Sequence, residues 1–190
     1  DADKQYNLGP SILTGEDANS IIQTFSLNQY PFFVDPDEGI KIYLNSSGDG
    51  PYTLNVSIHE VDENGHPASI VGETSGSWTI EDLNETNAQW VTFNWTHNPT
   101  VAPVINGSSE YGYCIRLNVN DIPTNYGDDY FKVMVTDAAN YFFGGQLKLF
   151  KEGSGYSTPS GEDLVFNMTA LPSSRTLSTL ASLNGSAGFG

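Results

Sequence analysis

From Tyr111 to Asn120 the chain reads YGYCIRLNVN. Tyr111, Tyr113, Ile115, Leu117 and Val119 fall on one side, and Gly112, Cys114, Arg116, Asn118 and Asn120 on the other. Period-two alternation is the pattern of a strand with one face in a core and the other nearer water. The length of this run predicts a place central to its sheet. Similar runs at Ile21–Leu27, Ile40–Asn45, Tyr52–Val61, Ser77–Ile80, Gln89–Trp95, Tyr130–Thr136, Gln146–Phe150 and Asp163–Met168 predict further strands. They are separated by turn signals such as Asp35-Pro36-Asp37, Ser46–Pro51 and Asp62-Glu63-Asn64-Gly65. About nine strands with almost no helical periodicity predict an all-β fold, a single jelly-roll-like β-sandwich over residues 20–168. Residues 1–19 are weakly patterned, with Tyr6, Leu8, Ile12 and Leu13 as scattered anchors, and read as an extended N-terminal segment. Residues 169–190 read as a Gly/Ser-rich C-terminal tail whose large aliphatics are Leu171, Leu177, Leu180 and Leu183.

Composition sharpens this picture. A length of 190 residues suits one domain with a full core, and 12% aromatics can fill the space between two sheets. Seven Lys and Arg against 23 Asp and Glu give a formal charge of −16, which repels phosphate backbones and argues against nucleic acid as a partner. The same field attracts cations such as Ca²⁺. Cys114 is the only cysteine, so no intrachain disulfide forms, and a small buried residue is the expected role. No apolar run reaches the length needed to span a bilayer. With Asp rather than Met at position 1, the chain reads as processed and mature.

Secretion gains support from N-glycosylation acceptors. Asn-x-Ser/Thr occurs at Asn45, Asn55, Asn84, Asn94, Asn106, Asn167 and Asn184, against roughly three expected by chance. Asn55, Asn94 and Asn167 point away from the apolar side of their strands. Asn45, Asn84, Asn106 and Asn184 fall in expected loops or the tail. Every acceptor is therefore expected to reach solvent, and N-linked glycans to decorate a secreted, extracellular or cell-surface protein.

The order of features also carries a resemblance. Gln23-Thr24-Phe25 is followed by an Ile-rich strand, a Leu-x-Val strand closing in Gly65-His66-Pro67, and Trp90-Val91-Thr92-Phe93. After the long Tyr-containing strand come Tyr141–Gly145 and Asp163-Leu164-Val165-Phe166. Over residues 20–168 this resembles the choice-of-anchor family of extracellular jelly-roll domains of bacterial and archaeal surface proteins. The resemblance implies a secreted β-sandwich and no catalytic residue. In outline the chain also resembles jelly-roll carbohydrate-binding modules, whose structural Ca²⁺ is held by an acid opening the last strand; Asp163 stands in that place.

Candidate chemistry is sparse. His59, His66 and His97 are scattered, without His-Glu-x-x-His or Gly-x-Ser-x-Gly, and an enzyme is not expected. His59 is expected at the surface, on the polar side of its strand. Hard cations need several oxygens, and three clusters qualify as metal candidates: Asp35/Asp37/Glu38, Asp128/Asp129 and Glu162/Asp163. Trp78, Trp90, Tyr126 and Tyr156 are candidates for a sugar-stacking platform, whereas Phe93, Trp95, Tyr111 and Tyr113 lie in phase with core aliphatics. The leading expectation is a non-catalytic subunit of an extracellular filament, sheath or surface layer. Copies of the chain would join by strand exchange through Tyr6, Leu8, Ile12 and Leu13, or through Leu177, Leu180 and Leu183 of the tail. The alternative is a secreted carbohydrate-binding or adhesion module.

Overall fold

The computed structural model describes residues 4–10, 13, 15–25, 32–34, 38–48, 50–73, 78–79, 83, 85–94, 104–105, 109–120, 129–136 and 145–172. These residues form strands and turns without helix. In chain order the strands are β1 (Lys4–Leu8), β2 (Ser20–Phe25), β3 (Phe32–Val34), β4 (Ile40–Ser47), β5 (Thr53–Val61), β6 (Pro67–Glu73), β7 (Trp78–Thr79) and β8 (Gln89–Phe93). There follow β9 (Val104–Ile105), β10 (Tyr113–Val119), β11 (Tyr130–Thr136), β12 (Leu147–Lys151), β13 (Gly155–Ser157), β14 (Asp163–Leu164), β15 (Phe166–Met168) and β16 (Ala170–Pro172).

Two antiparallel sheets form the sandwich. One runs β13-β12-β2-β10-β5-β6, with β7 also on β5. Its centre is β10, paired on one side with β2 and on the other with β5. Tyr113, Ile115, Leu117 and Val119 face the interior, where each is buried. Tyr113 lies against Phe25 of β2 with ring centroids 6.3 Å apart. The predicted strand began at Tyr111. In the structure Gly112 takes φ +96°, a left-handed conformation that ends the alternation, and Tyr111 turns out to 53% exposure instead of entering the core.

The second sheet contains β1, β11, β4 and β8, and its last strand arrives in an unusual way. β11 and β4 pair only over Tyr130–Val133 and Leu44–Ser47. Beyond that point they diverge, and the chain from Asp163 to Met168 fills the gap, with β14 on β11 and β15 on β4. Between these two pieces Val165 bridges both neighbours: its N–H donates to Met134 O at 3.2 Å and its carbonyl accepts from Tyr43 N–H at 3.1 Å. A small third sheet joins β16, β3 and β9.

Three expectations need correction. Residues 4–8 do not stand apart from the sandwich: β1 pairs in register with β11 from Lys4↔Val135 to Leu8↔Phe131. Leu8 and Leu13 lie in the main core, and Tyr6 packs against it. The chain then folds back so that Asp17 N–H donates to Asn7 O and Gly9 N–H to Ala18 O. The tail begins later than composition indicated, since Ala170–Pro172 pairs with Phe32–Val34. Ile12, Leu177, Leu180, Leu183, Asn84, Asn106, Asn184, Trp95 and Tyr126 lie outside the described residues. Finally, β6 (PASIVGE) was not foreseen, because a strand opening on proline with mixed small residues lacks a clean alternation.

Candidate functional site

The interior faces are apolar apart from Gln23 and its partner Asp163, which are bonded to each other, so chemistry must be sought on the outer ones. Strand register fixes what the outer face of the seven-stranded sheet carries. Cys114 stands between Thr24 and His59, Arg116 between Ile22 and Ser57, and Asn118 between Ser20 and Asn55. Farther along β2, Lys148 lies beside Ile22 and Phe150 beside Ser20, with Tyr156 beyond Phe150.

Two hairpins from opposite edges of the sheet roof part of this face. The β5–β6 turn is built by Asp62, whose Oδ1 accepts the N–H groups of Asn64 and His66, both at 2.8 Å. Gly65 supplies the φ of +72° that closes it. The backbone N–H of His66, then that of Asn64 against slight desolvation, holds the Asp62 carboxyl below its usual range. Register shifts on either side of His59 curl β5–β6 over the sheet. This brings His66 onto Tyr156 of β13, ring on ring at 3.8 Å and 9°, and Tyr156 in turn meets Phe150 at 4.9 Å. Beneath these rings lies a satellite core of Ile22, Val61 and Cys114. Burial pushes the Cys114 thiol up to about 12, so it is an inert packing group. Beside the hairpin tip opens a shallow cleft of about 310 Å³, with Asp62, Glu63, Tyr111, Gln146 and Lys148 among its walls.

Next to the roof the face is polar, with Arg116, Asn118 and Asn55 half-buried and Ser20 and Ser57 buried. Arg116 donates from Nε and Nη2 to Ser20 Oγ at 3.3 and 3.2 Å, and from Nη2 to Asn118 Oδ1 at 3.1 Å. Ser20 Oγ itself donates to Asn118 Oδ1 at 2.6 Å. Asn55 Nδ2 donates to Asn120 Oδ1 at 2.8 Å. His59, expected at the surface, is only 8% exposed: it shares a hydrogen bond with Ser57 Oγ at 2.9 Å and meets Ala68 O at 3.2 Å, because β6 covers it.

The outer face of the other sheet carries Trp90, 52% exposed and tilted against Tyr43 at 5.3 Å. Asn94 and Asn167 are exposed on that side, Asn167 in the row of Lys41 and Thr92. Asn45 departs from expectation. It is 6% exposed, its Nδ2 donates to Glu85 O at 3.2 Å, and neighbouring Ser46 donates to Leu83 O, so the segment carrying Leu83 and Glu85 lies over it. Trp78 is no platform either: it packs on the core and its Nε1 donates to Thr92 O at 2.9 Å.

The metal candidates among the described residues each make contacts within the fold. Glu162 accepts from Lys4 Nζ at 2.6 Å and from Tyr6 OH at 2.5 Å, which fastens β1 to the segment before β14. Asp163 Oδ1 accepts from Gln23 Nε2 at 3.0 Å, and Gln23 Oε1 accepts the Leu164 N–H at 2.8 Å. A fully buried amide on one sheet thus grips the other. Asp129 is 8% exposed, its carboxylate pressed onto Gly48 and Gly50, where a Cβ would collide with it. Glu38 pairs with Lys41 at 2.6 Å. Among the described residues no three His, Cys, Asp or Glu side chains group to hold a metal ion, and Asp35, Asp37 and Asp128 lie outside them. Among those residues, too, no helix is long and apolar enough to cross a membrane. Compared with protein-family models, curated proteins and solved structures, the chain matches none.

Proposed function

We propose that this chain is a non-catalytic structural subunit of an extracellular filament, sheath or surface layer, joined to its copies by exchange of an edge strand. One observation carries the reading. β1 is an edge strand, paired among the described strands with β11 alone, and its Leu8 is buried in the main core. A strand supplied in this way by its own chain can be supplied by a neighbour through the same contacts. Each subunit then gives and receives one strand, a head-to-tail relation that propagates as a fibre. N-linked glycans on Asn55, Asn94 and Asn167, and Ca²⁺ at acidic clusters between subunits, belong to this proposal.

The test is negative-stain electron microscopy of the purified protein and of a variant with Gln5→Cys and Met134→Cys, which face each other across β1 and β11. Filaments or sheets should form from the wild type and the reduced variant but not from the oxidised one, whose strand is tied to its own body. Regular assemblies from the oxidised variant would sink strand exchange. Loss of assembly on adding a chelator would support calcium at the contacts.

A second reading is a secreted carbohydrate-binding or adhesion module. It is favoured by Tyr156, 40% exposed and braced face to face by His66, beside a row of amides and hydroxyls. Saccharides present apolar ring faces and planar sets of hydroxyls, and such a surface answers both.

A further inference from the structure

In a chain of net charge −16, cations are expected to find carboxylates, and Lys4, Lys41 and Lys151 do, with Glu162, Glu38 and Glu16. Arg116 does not. Its hydrogen bonds go to two neutral side chains, Ser20 and Asn118, and it takes part in no ion pair among the described residues. Those bonds hold the guanidinium by Nε and Nη2 and leave both N–H groups of Nη1 unused. Neutral partners fix its direction without neutralising it, the arrangement that leaves a guanidinium ready for an external anion. By register Tyr156 lies beside Phe150, and Phe150 beside Ser20, the serine that Arg116 holds; burial raises the Tyr156 phenol above its usual range, with Arg116 opposing the shift and Asp62 adding to it. Asn55 and Ser57 complete the adjoining rows of the face.

We infer that this outer face binds an acidic saccharide: an oligosaccharide with a uronic acid unit whose carboxylate meets Arg116 Nη1 while a neighbouring sugar ring packs on Tyr156. The inference rests on the second, binding-module reading above. A polyphosphate chain is disfavoured because the surrounding field repels dense negative charge, whereas a single uronic acid unit in an otherwise neutral saccharide brings one carboxylate to one cation. Hydroxyls beside the carboxylate would meet Asn118 and Asn55. A glycan attached at Asn55 would lie over the same rows, so the site belongs to protein unmodified there.

The experiment is calorimetric titration of protein made in a host without N-glycosylation, using a xylo-oligosaccharide that bears one glucuronic acid unit and, in parallel, the same oligomer with its carboxylate reduced to the alcohol. Saturable binding of the acid should weaken roughly tenfold or more on reduction of the ligand, on Arg116→Gln and on Arg116→Lys, since the ammonium lacks the guanidinium's fork. Tyr156→Leu should weaken both oligomers. Unchanged melting temperatures for the variants show that the fold survives. Equal binding of acid and reduced oligomers would overturn the acidic-ligand inference while leaving the binding-module reading intact. Binding of neither would overturn both. Arg116→Gln lowering self-association, measured by sedimentation, with no saccharide bound, would assign the cation to a carboxylate of a second copy and overturn the inference.

Discussion

Gln23 is an amide placed where Leu or Ile would be routine, inside the sandwich at 0% exposure. Its two bonds to Asp163 and Leu164 explain why it is tolerated there. They also make it hard to replace, because removing the amide strands a carboxylate and an N–H away from water. Gln23→Leu, similar in size, is expected to lower unfolding free energy by about 2–4 kcal/mol in denaturant titrations. A loss under ~0.5 kcal/mol would mean water replaces the amide. Cys114 gives a second check: with its thiol raised to about 12, it should resist alkylation at pH 8 until the protein is unfolded. Single residues were the least legible scale. Alternation put Tyr113 and Ile115 inward, and they are buried. Asn45 and His59 went the other way because other parts of the chain, Leu83 with Glu85 and β6, cover them, and Tyr111 because the left-handed Gly112 beside it breaks the alternation. Arg116 stood on the polar side of its strand, but only pairing reveals that its neighbours there are uncharged.

At the level of elements, β1 is held by a clasp that titrates. Lys4 is shifted upward chiefly by its hydrogen bond to Glu162, and Tyr6 upward chiefly by burial and then by Glu162. Both folded values lie above the ordinary ones, so the contribution of Lys4 and Tyr6 to the clasp is complete at neutral pH and is lost as pH climbs through the folded values. The protection factors of residues 4–8, with the intrinsic base-catalysed rate divided out, should therefore hold to about pH 10 and fall above it. Glu162→Gln should quicken exchange already at pH 7, selectively in β1. The β5–β6 turn behaves oppositely. Asp62 is shifted downward by backbone N–H groups, so its support is present above the ordinary carboxylate range and fades as pH falls through the lowered value. The ring-current shift of Tyr156 under His66, followed by NMR, should diminish at strongly acid pH, and a pH-independent stack would place the turn's stability elsewhere. Of these elements the turn was plain in Asp62-Glu63-Asn64-Gly65, since its chemistry is local. The partner of β1 was not, because nothing near residue 6 in sequence points to residue 133.

For the whole molecule, a charge of −16 has a consequence independent of any contact: added salt should raise the melting temperature by relieving self-repulsion. A fall with salt would show that ion pairs such as Lys4–Glu162 outweigh it. Two sheets and their inward faces were legible from alternation; their strand orders were not, being set by long-range pairing. The late strand Asp163–Met168, seated between β11 and β4, bears on how the protein comes into being. Translation delivers those residues after both flanking strands, so a partly synthesised chain holds an open slot in the middle of a sheet rather than at its rim. Chaperones would meet that slot before the protein's own strand does. A chain ended at Ser160 should expose apolar surface to a reporter dye, and a peptide of residues 161–172 added in trans should quench the signal. The sheet is thus finished from the inside, and the sandwich commits to its form only with nearly all of its described residues made.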